Sequence, residues 1–316
     1  MPVPGVCGYM GIDTQRRRLL QFAAGAAILS GTSAAGAAED AVRIQREPLR
    51  GSLSLLRGAG GHVVACAGPE GVLLVDGGDR ARAAALVSAA ERDGPVRVLF
   101  NTHWHWEQTG GNELLGRRGG VRIIAHENTR LWLRRPVDVK WQRRVYPASP
   151  KAAWPTETFY TEGRLAFGDE DLAYGYLGQA HTDGDLYVHF RKADVLVVGD
   201  VVATGQYPVM DWTCGGWIGG LLDATRTLAG LAGDGTLVVP ATGAPVDKAY
   251  LQAQAAMLEV LKERIWQLMR KGLSESDLVA ARPTTEYEAQ WGDPELFLRS
   301  AWRGLWGHVR EQRGVV

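Results

Sequence analysis

The sequence lacks a run of about 18 consecutive apolar residues, so a membrane-spanning helix is not expected. It lacks a charge bias. Thirty-five basic and 35 acidic side chains give a formal net charge of zero. That leaves no basic face for nucleic acid and no acidic tail. Cysteine is scarce, with three residues, Cys7, Cys66 and Cys214. No strong internal repeat is visible, and no low-complexity segment follows the N-terminal region. What remains is an ordinary globular composition, 46% hydrophobic and 22% charged over 316 residues, enough for one large domain or two small ones. Forty glycines point to many turns. Seven histidines and eleven tryptophans are the inventory that the chemistry must come from.

The N-terminus reads as an export leader. Arg16-Arg17-Arg18-Leu19-Leu20 leads into the small, apolar run Phe22 to Leu29, and Ala34-Ala35-Gly36-Ala37-Ala38 suits a signal peptidase. Paired arginines before Leu-Leu resemble a twin-arginine signal, preferred here over a flexible basic arm. Residues 1–38 are therefore expected to direct export by the twin-arginine machinery and to be removed by signal peptidase, leaving residues 39–316 in the periplasm or secreted. The mature chain stays close to neutral. Cys7 leaves with the leader; Cys66 and Cys214 remain, either as a disulfide in an oxidising compartment or as two buried thiols.

From Val42 onward, short β runs alternate with glycine turns: 52–56, 62–66 and 72–75. Helical spacing over 80–92 is followed by a strand at 96–100, a short helix at 111–117, a strand at 121–125 and a helix at 127–134. Between Arg135 and Tyr160 the pattern dissolves among four prolines, aromatics and basic residues, and a long loop of this kind reads as a flap over a site. The second half repeats the order, with strands at 172–177, 186–190, 195–198 and 237–240 and a helix near 221–231. C-terminal helices cover about 247–316, one over 247–271 and another over 294–310. Strands each followed by helical pattern imply an α/β fold of sheets with helices outside.

Three segments that follow strands carry the chemistry. His103-Trp104-His105 lies on a tight loop that continues Trp106-Glu107-Gln108-Thr109-Gly110-Gly111-Asn112. His181-Thr182-Asp183-Gly184-Asp185 enters a strand, and Val198-Gly199-Asp200 ends one. Two imidazoles spaced i, i+2, a distant third and a carboxylate make a plausible four-ligand environment for zinc, with room for a water that a metal would acidify.

These ordered motifs resemble the metallo-β-lactamase superfamily, whose signature is His-x-His-x-Asp-His, a distant His, a bridging Asp and a last His. Asn101-Thr102 before the histidines, Gly110-Gly111-Asn112 after them, Ala125-His126-Glu127-Asn128 and the strand-end Asp76 of Leu74-Val75-Asp76-Gly77 fit the same context. The resemblance spans roughly residues 45 to 310, and 199–240 looks like one subgroup of exported bacterial hydrolases. It implies a four-layer αββα sandwich with the site at an open edge. The departures fall on the second metal position. Glu107 stands for the motif's Asp, Gln108 for its adjacent His, and Pro240-Ala241-Thr242-Gly243 for the turn of the last His. Gln108 and Thr242 are poor zinc ligands, so one metal is expected.

The expected activity is hydrolysis of an ester, lactone or amide in a small-molecule substrate. His103, His105, His181 and Asp200 hold zinc, and Glu107 and Asp200 serve as catalytic groups. Two alternatives stand beside it: a mononuclear iron, dioxygenase-like site from His103, His181 and Asp200, and a degenerate protein that binds metal or ligand without turnover. Trp104, Trp106, Tyr207, Trp212 and Trp217 can line an apolar pocket, though each alone reads better as packing. Arg143 and Arg144 read as solvated arginines in preference to an anion contact. Asp183 and Asp185 are expected to hold the His181 loop, and His62, His126, His189 and His308 to be structural. Oligomeric state has no signature in the sequence.

Overall fold

A computed structural model describes residues 43–312; the expected leader lies outside the described residues. Strands β1 (Gln45–Pro48), β2 (Leu53–Arg57), β3 (Val63–Gly68) and β4 (Gly71–Val75) form an antiparallel meander. Helix α1 (Ala83–Ala90) crosses to β5 (Val96–Phe100), which runs parallel to β4. Two short helices, α2 (Trp106–Thr109) and α3 (Asn112–Arg118), return the chain to β6 (Arg122–His126), and α4 (Glu127–Leu133) follows. A small hairpin, β7 (Val137–Val139) with β8 (Arg144–Tyr146), precedes β9 (Glu157–Phe159). The first sheet has the order β1-β2-β3-β4-β5-β6-β9.

The second sheet is built from β10 (Glu162–Phe167), β11 (Glu170–Tyr176), β12 (Leu186–Phe190) and β13 (Val195–Gly199). After α5 (Ile218–Leu231), β14 (Leu237–Pro240) joins parallel to β13. Four helices close the chain: α6 (Lys248–Arg270), α7 (Glu275–Ala281), α8 (Glu288–Trp291) and α9 (Glu295–Gln312).

Alternating side chains explain the layers. Leu53, Leu55, Val64, Leu73, Val75, Val98 and Phe100 face inward from the first sheet and meet Leu172, Val188, Phe190 and Val197 of the second. The opposite face of the first sheet (Leu56, Val63, Leu74, Leu99) packs on Leu86 and Val87 of α1 and Leu115 of α3. Leu196, Val198 and Val238 on the outer face of the second sheet pack on α5, α6 and α9. Helix, sheet, sheet, helix is the expected four-layer sandwich. Cys66 and Cys214 are both free and buried.

The segment 135–160 has more order than its sequence suggests. Val137, Val139 and Tyr146 turn inward onto Trp104 and Cys214, forming a satellite core. Two three-residue strands are too short for periodicity to reveal, and prolines surround them. The strands β1, β9 and β10 and the helix α7 likewise add to the elements read from sequence.

Helix α3 is seated against the turn 151–153 that ends this segment. A Cβ on Gly116 would stand 1.8 Å from the Ala152 carbonyl oxygen. Gly116→Ala is expected to destabilise the fold by about 1–3 kcal/mol through overpacking, read as a lower urea midpoint at unchanged slope.

Candidate metal site

The site lies where strands end. Asp76 follows β4, His103 and His105 follow β5, His181 follows β11, Asp200 follows β13, and Ala241 to Gly243 follow β14. Four of these strands belong to parallel pairs, whose carboxyl ends are where α/β folds collect ligands. Two buried asparagines fix the histidine loop. Asn101 Nδ2 donates to the Gln108 carbonyl and to Asn112 Oδ1, both at 3.0 Å. Asn112 Nδ2 donates back to Asn101 Oδ1 at 2.8 Å and to the Ala153 carbonyl at 3.0 Å.

Each imidazole has one nitrogen occupied on its outer side. Thr102 Oγ1 donates to the buried Asp76 carboxylate at 2.9 Å, so toward His103 it acts as acceptor, for the Nδ1–H at 3.2 Å. His105 donates Nε2–H to Asp211 Oδ2 at 3.0 Å. His181 donates Nδ1–H to the Val209 carbonyl at 2.7 Å. In neutral rings this leaves His103 Nε2, His105 Nδ1 and His181 Nε2 as bare lone pairs. These three atoms, with a carboxylate oxygen of Asp200, lie within 4.8 Å of one another. His181 Nε2 and His105 Nδ1 are 3.1 Å apart, and His103 Nε2 is buried with no hydrogen-bond partner.

Two lone pairs facing each other repel unless something positive sits between them. A tetrahedral ion with nitrogen ligands at about 2.0–2.1 Å sets its donors about 3.3 Å apart. The donor set therefore fits a metal ion. Burial, followed by the neighbouring His105 and His181, holds His103 well below the usual imidazole range, which keeps it a neutral donor.

Asp200 enters beside the histidines because Gly199 has no side chain. It adopts φ +58°, and a Cβ there would lie 2.8 Å from Thr102 Oγ1. Asp200 Oδ2 stands 3.4 Å from His103 Nε2 and 4.0 Å from His181 Nε2. Gln108 is buried; its Nε2 donates to Asp200 Oδ2 at 3.5 Å, and its Oε1 has no partner. Glu107 is not among the converging ligand atoms, and its charge is felt, after burial, at the Tyr146 phenol, whose pKa is raised. Thr242 is exposed. Its turn is pinned by His62, whose N–H bonds the Ala241 carbonyl at 2.7 Å and whose Nδ1 bonds the Pro240 carbonyl at 2.8 Å.

The other candidates divide. Asp185 holds the His181 loop by accepting from Thr182 N and Oγ1, both at 2.8 Å, and burial raises its pKa to about 7. Asp183 accepts from Trp132 Nε1 at 2.6 Å. Tyr207 packs on Phe297, and Trp217 stacks on His308; both belong to the helical layer. Trp104 is buried behind the histidines, and Trp106 lies under Tyr146 and the Arg144 guanidinium. His126 stacks on Tyr176 and accepts from Asn128 N at the start of α4.

Asp211 is the functional residue that the sequence reading missed. It is buried, and burial opposes its charge, but the His105 hydrogen bond and the charges of His105 and His181 outweigh that and lower its pKa. An acid between Met210 and Trp212, in an apolar stretch, was the available signal.

A family model described as the metallo-β-lactamase superfamily matches residues 58–265. The chain belongs to this superfamily. Among solved structures it is similar to a metallo-β-lactamase from Pontibacter korlensis, with 21% identity, a TM-score of 0.56, and 69% of this chain and 99% of that one covered. It is also similar to the DIM-1 metallo-β-lactamase, with 20% identity, TM-score 0.54, and coverage of 68% and 97%. A stereoselective inverting sec-alkylsulfatase from Pseudomonas sp. aligns at 16% identity and TM-score 0.61, over 81% of this chain and 49% of that one. At these identities the likeness is one of fold. No curated protein matches the chain.

Asp211 fixes the tautomer and orientation of His105. Asp211→Asn is expected to weaken binding of a divalent ion by about 10- to 100-fold, measured by competition with a chromogenic chelator, with the far-UV circular dichroism unchanged.

Proposed function

We propose that the protein is an exported metallo-hydrolase that holds one zinc ion and acts on an ester, lactone or amide of a small molecule. The observation that carries this reading is the set of three imidazole lone pairs turned to one point, each fixed from behind by a hydrogen bond. A divalent ion bound there supplies Lewis acidity, acidifying a water and polarising a carbonyl.

The chain's own residues account for the remaining work. His103, His105 and His181 bind as neutral donors, and Asp76, Thr102, Asp211 and the Val209 carbonyl orient them. Asp200 completes the ligand set or takes a proton from water on its free oxygen. Gln108 restrains Asp200 through Nε2, and its unpartnered Oε1 is available to accept a hydrogen bond from that water. Gln108 is neutral and Thr242 is exposed, and both are poor zinc ligands, which supports one ion rather than two. A carbonyl substrate suits this count, since clamping by two metals helps most at phosphoesters.

Purified without chelator, the mature protein is expected to contain about one zinc per chain, lost on His103→Ala, and to turn over members of an ester and lactone panel. Asp200→Ala is expected to lower kcat by at least about 100-fold. Iron in place of zinc would move the assignment to oxygen chemistry, and no metal after soaking in zinc would end the hydrolase reading. The triple variant E107D/Q108H/T242H is expected to take up a second equivalent in a metal titration; one equivalent only would show that the frame around Thr242 no longer admits it.

A further inference from the structure

The family match ends at residue 265, and the helices beyond it build something of their own. With the flap they line an open cavity of about 580 Å³. Its walls include Lys140, Trp141 and Arg143 from the flap, Trp212 from the turn after Asp211, and Arg299 and Arg303 from α9. The cavity adjoins the metal cluster through Trp141, whose ring centre lies 6.2 Å from that of His105.

Most of the charge around it is neutralised internally. Glu275 accepts from Arg299 at 2.9 Å and from Arg303 at 2.7 Å, Glu295 accepts from Arg299 at 2.8 Å, and Asp138 pairs with Lys140. Asp293, which accepts only the Glu295 N–H at 2.9 Å, keeps its negative charge on the α9 wall. Two donors are left over. The exposed Arg143 side chain makes no ion pair or hydrogen bond among the described residues, and the buried Trp141 Nε1–H has no acceptor. Arg143 also adopts φ +52°, a left-handed conformation that costs a long side chain energy and would suit glycine. On the far wall the Arg303 guanidinium lies 5.2 Å over the Trp212 ring, a surface that suits a flat π-system.

We propose that this cavity binds a ring-bearing organic anion of small-molecule size, its ring against the Trp141 and Trp212 walls and its oxyanion at Arg143. Its volume falls in the range of small-ligand sites. As the holder of the non-reacting part of a substrate, the cavity rests on the hydrolase reading; as a binding site it does not.

The test is isothermal titration of the metal-free mature protein with 2-naphthoate, and with 2-naphthamide as the uncharged probe of the same shape. One equivalent of naphthoate is expected to bind, and the amide about tenfold more weakly. Arg143→Gly suits the backbone at that position, so it preserves folding; it is expected to weaken naphthoate about tenfold and leave the amide unchanged. No saturable binding, equal binding of acid and amide, or indifference to Arg143→Gly would overturn the proposal. The two readings fail separately. Arg143-dependent binding without ester turnover leaves the site standing and removes the hydrolase, whereas ester turnover by a protein that ignores naphthoate removes the site.

Discussion

The structure depends on where three imidazole protons point. A free histidine can carry its proton on either nitrogen. Here a hydroxyl, a carboxylate and a backbone carbonyl each claim one N–H, so three lone pairs must face inward. That arrangement is unfavourable in an empty protein interior, and other features of the fold exist to impose it. Asp76 sits buried at φ +71° so that its carboxylate can engage the Thr102 hydroxyl; strain of this kind persists where surrounding structure over-determines it. Gly199 clears the space in which Thr102 and Asp200 can approach.

Gln108 offers an amide where the family signature has an imidazole, and that amide meets Asp200 directly. The turn 240–243, which would carry the last ligand, is tied to β3 through His62. His62 is held in turn by the Arg57 guanidinium, which also reaches the Gly243 carbonyl. Burial lowers the His62 pKa, so it serves as a neutral link.

Much of the fold and the heart of the site were legible in the sequence, for a physical reason. The sandwich strands bury alternate side chains over four to seven residues, and the ligands follow strand ends, where local patterning is sharp. The long helices α6 and α9 announce themselves by their length. What escaped was set by distant contacts. Asp211 gains its role from an imidazole over a hundred residues earlier in the chain. Strands β7 and β8 are three residues each and fold only because Trp104 and Cys214 give them something to cover. The roles of Tyr207 and Trp217 were decided by partners on α9, which no reading of their own neighbourhood supplies.

The four converging groups come from both halves of the sandwich. His103 and His105 hang from the first sheet; His181 and Asp200 hang from the second. An ion shared among them is thus a cross-link between two sheets whose facing layers meet through apolar side chains and whose rims are joined by a few hydrogen bonds. Its ends join positions about a hundred residues apart, a span over which chain entropy resists closure. The same contact that would prepare a reactive centre would staple the molecule shut, so that metal loading and resistance to unfolding become one property.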